Sequence, residues 1–259
     1  RALGAEVVTI GCEPDGININ AQIGSTHPEK LQPKVVEEKA DLGLAFDGDA
    51  DRLIVVDEKG MVIDGDKTIC ICAKMLKEAG KLARNRVTAT VMSNIGFHKY
   101  IEEKVGAQVE VTGVGDRYVL ESMLQTGCIL GGEQSGHIIF LNYTTTGDGT
   151  LSSLQFVKAV KASGRKPSQL SSEIEIFPQV LENAKVSNDN KKAYLKDPEI
   201  QQAISDIETE MQGSGRVLIR PSGTEPLVRV MIEGTDIERI HKLAVDLADL
   251  ISRKCSEKE

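Results

Sequence analysis

The chain has 259 residues, of which 40% are hydrophobic and 27% are charged, and its formal net charge at pH 7 is −8. This length predicts two or three packed domains. The acidic balance excludes a typical nucleic-acid binder, because phosphate backbones require basic surfaces. No apolar run approaches the length of a membrane span, and no secretory signal is recognisable. We therefore expect a cytoplasmic protein that contacts neither membrane nor nucleic acid.

The five cysteines do not indicate a disulfide framework or a metal site. Their number is odd, they are scattered, and the spacing of Cys70 and Cys72 does not match a zinc knuckle. We expect all of them to be small core residues, namely Cys12, Cys70, Cys72, Cys128 and Cys255.

Residues 1–63 predict part of an α/β unit. The expected elements are a strand at 5–10, a helix that starts near Pro33, a strand at 42–46 and a hairpin that turns at 58–60. The chain begins at Arg1 without a methionine, so we expect it to be part of a longer protein. Strands that lack their neighbours expose edges. We therefore expect self-association or disorder before about residue 60.

Residues 64–172 predict a complete α/β domain, because strands and helices alternate regularly. The expected helices are at 68–77, 96–104, 117–125 and 150–162, and the expected strands at 86–92, 108–112, 128–131 and 137–141. Repeated units of this length predict a parallel or mixed sheet with helices on both faces.

Residues 173–259 predict a small α+β domain. It follows a polar linker at 163–168, and the expected elements are helices at 198–211 and 237–253 and strands at 217–220 and 227–233. The predicted fold class is therefore a partial α/β unit, then a mixed-sheet α/β domain, then a small α+β domain.

Three carboxylates stand at alternate positions between two apolar runs, at Asp47, Asp49 and Asp51. Carboxylates this close repel one another, and a hard divalent cation such as Mg²⁺ relieves the repulsion. A solvated acidic turn is the plain alternative. An EF-hand loop is excluded, because its sixth position needs glycine where Arg52 stands and its flanks need to be helices.

A loop between two predicted strands begins at Arg220 and combines features that suit a phosphate. Amides around Gly223 form an anion-binding nest if that glycine takes a positive φ, and Ser222 and Thr224 can donate hydrogen bonds. Arg220 or Arg229 can offer a two-pronged contact to phosphate oxygens. A Pro/Gly turn with a solvated arginine explains the same residues, so both interpretations stay open.

A second glycine-flanked loop, residues 131–137, carries Glu133 and Ser135. If this segment is extended, both side chains point the same way, as a carboxylate and a hydroxyl that bind sugar hydroxyls would. A plain hairpin turn is the alternative. His137 is explained equally well as a strand histidine that is hydrogen-bonded to backbone.

The run from Thr112 to Arg117 only partly resembles a dinucleotide fingerprint, because the third glycine position is occupied by Tyr118. Its simplest interpretation is a loop that ends with Asp116 as the N-cap of a helix. Arg117 could then face an anion. The similar run at 146–150 is interpreted as another helix start, without a catalytic role.

Taken together, these loops resemble those of the α-D-phosphohexomutase family. The family's metal loop matches residues 47–52, its sugar loop matches 132–137 and its phosphate loop matches 220–226, in the family's order. Within the family, the chain looks most similar to bacterial phosphoglucosamine mutases, on the basis of Gln134 and of the runs at 24–28 and 113–119.

The resemblance implies that residues 1–63 end the second of four family domains, that 64–172 form the third and that 173–259 form the fourth. It implies interconversion of glucosamine 6-phosphate and glucosamine 1-phosphate, through a phosphoserine and a hexosamine or hexose 1,6-bisphosphate, for cell-wall precursor synthesis. A phosphomannomutase or phosphoglucomutase specificity is the alternative. The partner is a small-molecule sugar phosphate, and a homodimer stays open.

The same resemblance implies roles for the loop residues. Mg²⁺ would be held by the three aspartates, and Arg52 would orient the phosphoryl group. The substrate would be bound by Glu133, Ser135, Asp116, Arg117, Arg220, Ser222, Gly223, Thr224 and Arg229. The general acid/base is expected to be His137.

The family's phosphoryl carrier is a serine followed by a His-Asn-Pro run, and this sequence contains no such run. Ser25 and Ser135 do not stand in that context, and neither is assigned the role. We therefore expect this chain alone to be inactive as a mutase. A non-catalytic sugar-phosphate-binding fragment is the second alternative.

Overall fold

The computed structural model describes residues 1–256, and the last three residues of the predicted fourth domain lie outside them. The chain forms two compact units, Arg1–Glu175 and Ile176–Glu259. The first unit is mixed α/β and the second is α+β, which confirms the predicted fold class. The predicted division of the first unit at residue 63 stays a prediction. None of the described helices is long and apolar enough to cross a membrane.

The predicted strand at 5–10 is wrong. Residues 5–10 carry no regular secondary structure, and Val7 and Val8 are 39% and 55% exposed. A β-prone sequence forms a strand only where another strand satisfies its backbone hydrogen bonds. Regular structure begins with a 3₁₀ turn, Pro28–Lys30, which leads into helix α1 (Leu31–Glu37).

A small antiparallel sheet follows α1 and contains the acidic loop. Its strands are β1 (Leu42–Phe46), β2 (Leu53–Asp57) and β3 (Val62–Ile63), in the order β1-β2-β3. Every residue of β2 is buried, as its apolar run predicts for a central strand. The hairpin between β2 and β3 turns at Gly60, which has a φ of 82°.

The second sheet of the first unit is mixed, as predicted. Its order is β5-β4-β6-β7, and β4 pairs parallel with β5 and β6 while β6 pairs antiparallel with β7. The strands are β4 (Arg86–Thr90), β5 (Gln108–Thr112), β6 (Leu130–Gly132) and β7 (Ile138–Phe140).

Helices surround this sheet. They are α2 (Gly65–Glu78), α3 (Ile95–Lys99, continued by a π-helical segment, Tyr100–Val105), α4 (Asp116–Thr126), α5 (Gly149–Ser163) and α6 (Pro167–Ser171). Helix α4 packs on the sheet through Val119 and Met123, which contact Cys128 and Ile139. The predicted linker at 163–168 connects α5 to the short helix α6, which begins at its last two residues.

Two helix starts test the sequence interpretation. Asp148 caps α5 by accepting a hydrogen bond from the Leu151 N–H at 2.8 Å, as predicted for a helix start. Asp116 was predicted to be the N-cap of α4, and this prediction is wrong. Gly115 takes that place with a φ of 129°, and Asp116 is the first helical residue. A φ in this range is open to glycine and costly for aspartate.

The second unit contains one strand more than predicted. Its sheet has the order β8-β10-β9, from β8 (Gln179–Lys185), β9 (Arg216–Pro221) and β10 (Leu227–Glu233), and all pairs are antiparallel. The sequence of β8, with Glu182, Asn183 and Ala184, has low strand propensity. Its pairing with β10 and the complete burial of Ala184 override that preference.

Helices α7 (Pro198–Met211) and α8 (Ile237–Ser256) complete the second unit. The buried positions of α8 recur every three or four residues, so one face of the helix joins the core. That face consists of Ile240, Leu243, Ala244, Leu247, Ala248, Ile251 and Cys255. Four of the five cysteines are buried as predicted, but Cys12 is exposed, so the prediction is wrong for that residue.

Candidate functional site

The acidic loop is the connection of the β1–β2 hairpin. Phe46 pairs with Leu53, so the two strands hold residues 47–52 at both ends. Ala50 turns the chain with a φ of 58°, and the Ala50 N–H donates to the Asp47 carbonyl oxygen at 3.1 Å. The Arg52 N–H donates to Asp47 Oδ1 at 3.1 Å. These bonds fold the loop back on itself.

The three carboxylates converge as a cation site requires. One oxygen from each of Asp47, Asp49 and Asp51 lies within 4.8 Å of the others. Burial, and then the neighbouring Asp47, raise the pKa of Asp51 above its ordinary value. Hard oxygen ligands at such separations suit Mg²⁺ or a similar cation, which would offset the repulsion. The flanking strands exclude an EF-hand, which needs helices.

Arg52 and His137 both contact this metal loop (residues 47–52). Arg52 Nε lies 3.7 Å from Asp47 Oδ2, and its side chain is 42% exposed. His137 is 4% exposed, forms a β-bridge with Arg52, and places Nε2 3.5 Å from Asp51 Oδ2. The same nitrogen accepts a hydrogen bond from the Gly147 N–H at 3.2 Å. His137 thus contacts Asp51 from the buried side of the loop and is hydrogen-bonded to backbone.

The segment at 146–150, to which the sequence analysis assigned no catalytic role, packs against the backbone of the metal loop. The Gly149 N–H donates to the Ala50 carbonyl oxygen at 2.8 Å. A Cβ on Gly149 would lie 2.6 Å from the Arg52 carbonyl oxygen, and one on Gly147 would lie 2.7 Å from that of Asp51. Only glycines allow this approach. The two glycines on either side of Asp148 were the feature of the sequence that could have indicated this close approach.

The loop at 132–137, here called the sugar loop, is a turn, which was the stated alternative to an extended segment. The Gly136 N–H donates to the Glu133 carbonyl oxygen at 3.0 Å, and Gly136 has a φ of 96°. Ser135 is exposed and Glu133 half-buried. Glu133 Oε1 accepts a hydrogen bond from the Gly115 N–H at 3.1 Å. One carboxylate oxygen of Glu133 is therefore fixed by a hydrogen bond from the protein backbone.

The residues that reach the sugar loop from 112–117 differ from those expected. Gly115 contacts Glu133, whereas Asp116 Oδ1 accepts from the Arg117 N–H at 2.8 Å. The Arg117 side chain is 81% exposed and pairs with Glu121 at 2.8 Å, which raises its pKa. The structure therefore brings Gly115 to Glu133, and the substrate contacts expected of Asp116 and Arg117 stay predictions. The role of Gly115 was missed because its positive φ, which turns its N–H toward Glu133, cannot be read from the sequence.

The loop between β9 and β10 lies in the second unit. Arg220 and Arg229 are directly opposite in the antiparallel pair, so their side chains share one face of the sheet. Arg229 pairs with Glu225 at 3.2 Å. Ser222 is buried, and its Oγ accepts from the Glu225 N–H at 3.1 Å.

Two details of this phosphate loop (residues 220–226) differ from expectation. Gly223 is absent from the glycines with positive φ, so the expected nest conformation at this residue is not present. A Cβ there would meet no atom within 4 Å, so the loop is open on this side. Lys191, which the sequence did not single out, donates through Nζ to the Ser222 carbonyl oxygen at 2.7 Å. It adds a third cation to the two arginines.

Comparison with protein families assigns nearly the whole chain. Residues 1–60 match phosphoglucomutase/phosphomannomutase alpha/beta/alpha domain II, and residues 64–177 match alpha/beta/alpha domain III. Residues 181–250 match the C-terminal domain of the same family. The metal, sugar and phosphate loops fall in these three successive matches.

Curated relatives share much of the sequence. The phosphoglucosamine mutase of Thermoanaerobacter sp. (strain X514) is 58% identical over 254 residues, which cover 98% of this chain and 57% of the relative. That of Clostridium acetobutylicum is 56% identical over 256 residues, 99% of this chain and 57% of the relative. The chain thus spans little more than half the length of these relatives.

A solved structure shares the fold. The Aspergillus fumigatus N-acetylphosphoglucosamine mutase in complex with GlcNAc-6P and magnesium has a TM-score of 0.71 and 22% identity, and the match covers 91% of this chain and 53% of the fungal one. A variant of that fungal protein, in complex with glucose 1,6-bisphosphate, gives a TM-score of 0.67 at 21% identity over 91% of this chain and 53% of the other. With this fold, three matching domains and relatives of such high identity, the chain belongs to the phosphoglucomutase/phosphomannomutase family, the α-D-phosphohexomutases.

Proposed function

We propose that this chain carries the metal, sugar and phosphate loops of a phosphoglucosamine mutase, which interconverts glucosamine 6-phosphate and glucosamine 1-phosphate. The observation that carries the proposal is the convergence of Asp47, Asp49 and Asp51 to within 4.8 Å. It occurs in a chain that is 58% identical to a phosphoglucosamine mutase over 98% of its length. The product would serve amino-sugar and cell-wall precursor synthesis.

In this proposal the three aspartates hold Mg²⁺. The bound cation would screen the negative charge of the phosphoryl group in transfer. The partly exposed Arg52 guanidinium, beside Asp47, would orient that group by donating to its oxygens. The Aspergillus fumigatus structure is a complex with magnesium, which supports the choice of cation.

The sugar loop would bind hydroxyl groups of the hexosamine. Glu133 is oriented by the Gly115 N–H, so its Oε2 can accept from a sugar hydroxyl, and the exposed Ser135 hydroxyl can donate or accept. Asp116 and Arg117 are proposed as substrate contacts on the basis of the family resemblance. In the structure the Arg117 side chain is paired with Glu121. In the second unit, Arg220, Ser222, Gly223, Thr224 and Arg229 would bind the substrate phosphate.

The general acid/base group that the resemblance implies is His137. His137 is 4% exposed and contacts Asp51, so its geometry favours holding the metal loop over direct proton transfer to a sugar. The reaction would also need a phosphoserine and a hexosamine or hexose 1,6-bisphosphate. No serine in this sequence precedes a His-Asn-Pro run, so we propose that the chain alone does not turn over substrate.

A reconstitution assay tests the proposal. The purified chain is mixed with glucosamine 6-phosphate, Mg²⁺ and glucose 1,6-bisphosphate, with and without the first domain of the Thermoanaerobacter relative, and glucosamine 1-phosphate is measured. We expect product only when the first domain is present, and none with Asp49→Asn. Turnover by the chain alone would contradict the predicted inactivity. No turnover in either mixture, together with no binding of glucosamine 6-phosphate, would contradict the proposed function.

The same assay separates the remaining alternatives. A phosphomannomutase or phosphoglucomutase would turn over mannose or glucose phosphates faster than glucosamine phosphates. A sugar-phosphate-binding fragment would bind the substrate without turnover even when the first domain is supplied. The cytoplasmic location, a homodimer and the three-domain boundaries at 63 and 172 stay predictions.

A further inference from the structure

We propose that Asp64 and Gly65, at the start of α2, are positioning residues that hold the sugar loop in the conformation that presents Glu133 and Ser135. Neither residue was a candidate in the sequence. The inference rests on the proposed function of the sugar loop, and it assigns to α2 a role in substrate recognition.

The backbone of the sugar loop lies directly on the first turn of α2. The Gly65 N–H donates to the Gln134 carbonyl oxygen at 2.9 Å. A Cβ on Gly65 would lie 2.1 Å from the Glu133 carbonyl oxygen and 2.8 Å from the Gly136 amide nitrogen. Real Cβ atoms do not approach backbone this closely, so any side chain at Gly65 would displace the loop. Glycine at this position therefore determines where the loop lies.

Asp64 makes a second contact with the same loop. Its Oδ1 caps α2 by accepting from the Lys67 N–H at 2.9 Å, and its Oδ2 accepts from Gln134 Nε2 at 3.4 Å. Asp64 is half-buried, and this burial raises the pKa of its carboxyl group. One carboxylate thus serves both the helix and the loop.

Gln134 is therefore held at both its backbone and its side chain. Because its amide points to Asp64, Gln134 acts on the sugar through the loop and not by direct contact. The ends of the turn are held separately, since the Glu133 N–H donates to the His137 carbonyl oxygen and the Leu53 N–H to that of Gly136, both at 3.0 Å. A loop that is ordered before binding loses less entropy when the ligand arrives. The contacts from Asp64 and Gly65 on α2 order the middle of the turn, at Gln134, before the ligand binds.

Gln134→Met removes the side-chain contact with little change in size, and Asp64→Asn replaces its charged acceptor by a neutral amide, which weakens the contact. Asparagine remains a good N-cap, so α2 is retained. We expect Gln134→Met to bind glucosamine 6-phosphate about five- to tenfold more weakly by calorimetry, the range for one partly buried hydrogen bond, and Asp64→Asn to bind it more weakly as well. The double variant should bind no more weakly than Gln134→Met, because both changes act on the same contact. Gly65→Ala should have a larger effect.

Glu78→Gln is the matched control, because it makes the same chemical change at the exposed other end of α2. Its affinity should equal that of the unmodified chain. Inorganic phosphate should bind equally well to all variants, since the phosphate loop lies in the second unit. Unchanged sugar-phosphate affinity in Asp64→Asn and Gln134→Met would overturn the inference. An equal loss of inorganic phosphate binding would also overturn it, because it would indicate general damage.

Hydrogen exchange separates this inference from the proposed function. We expect amides of residues 131–137 to exchange faster in Asp64→Asn and Gln134→Met, and at an unchanged rate in Glu78→Gln. If the unmodified chain binds no glucosamine 6-phosphate, the proposed function fails, and the exchange rates still decide whether α2 holds the loop. Unchanged exchange at 131–137 in both variants would overturn the positioning role.

Discussion

The metal loop and the phosphate loop both connect two antiparallel strands, yet they are stabilised in different ways. The metal loop concentrates negative charge and is held by contacts from distant segments, through Gly149 and His137. Arg220, Arg229 and Lys191 give the phosphate loop a positive surrounding. The loop is held largely by its own residues, through Ser222 and Glu225, with one outside contact from Lys191. A loop that cannot neutralise its own charge depends on the surrounding fold for its shape. The metal loop is therefore the more sensitive of the two to remote changes.

The largest effect that tests this comparison is expected from Gly149→Ala. The new Cβ would lie 2.6 Å from the Arg52 carbonyl oxygen and 2.9 Å from that of Ala50, so the metal loop must shift. We expect the free energy of unfolding to fall by about 1–3 kcal/mol, the usual cost of overpacking. The increase in unfolding temperature on addition of Mg²⁺ should disappear.

Gly113→Ala is the control for this change. A Cβ at that position would meet only Tyr118 Cδ2, at an ordinary 3.8 Å, so the unfolding temperature and its response to Mg²⁺ should stay unchanged. If Gly149→Ala kept the full response to Mg²⁺, the metal loop would not depend on its support from α5.

A smaller effect is expected from Arg220→Ala in the phosphate loop. The variant loses one of two arginines on the same face of the sheet, and its affinity for inorganic phosphate should fall about tenfold, as for a charge-assisted hydrogen bond. The folding of the second unit should be retained, because the loop is held by Ser222 and Glu225. Calorimetric titration with phosphate measures the first effect, and circular dichroism the second.

Arg239→Ala provides the matched charge change in the second unit. Arg239 is paired with Glu210 on α7, away from the phosphate loop in the sequence, and its loss should leave phosphate affinity unchanged. Equal weakening by both variants would show that net charge, and not the loop, attracts phosphate.

The smallest effect is expected at Glu173. This carboxylate is surrounded by positive charges, whereas the carboxylates of the metal loop are surrounded by one another. The Lys74 ammonium and then the Arg165 guanidinium lower the pKa of Glu173 from 4.5 to about 2, against the effect of burial. A lowered pKa in the folded state adds stability above the unfolded pKa, and that stability is lost as pH falls from about 4.5 to about 2.

Glu173→Gln should therefore lower the free energy of unfolding at pH 7 by about 0.5–1 kcal/mol, since the side chain is partly exposed. The difference from the unmodified chain should shrink as pH falls below about 4.5. Chemical unfolding at pH 7 and at lower pH measures it. A difference that is independent of pH would assign the effect to packing and not to charge.

Local sequence signals were sufficient for most elements. The helix at 198–211 and the strands at 42–46, 108–112 and 227–233 have the predicted bounds, because periodicity, N-caps and prolines act within a few residues. The convergence of the three aspartates follows in part from the hairpin, since alternate carboxylates between two paired strands have little room to separate.

Several of the incorrect or missed predictions depend on distant partners. Residues 5–10 have strand propensity but no strand to pair with, whereas β8 has poor propensity and pairs with β10. The glycine at 115 was interpreted as part of a plain loop, although its N–H orients Glu133 from a segment 18 residues away in sequence. Propensity predicts what a segment can form, and pairing determines what it does form.

The sequence by itself thus determined the chemistry of this protein: which loops carry carboxylates, hydroxyls and arginines, and to which family the chain belongs. The tertiary structure alone decided how those loops are held. It packed Gly147 and Gly149 against the metal loop. It also brought the Gly115 N–H to Glu133, and Asp64 and Gly65 to Gln134. The physical reason is that ligand groups are chosen by residue type, whereas their positions depend on backbone contacts between segments that are far apart in the chain.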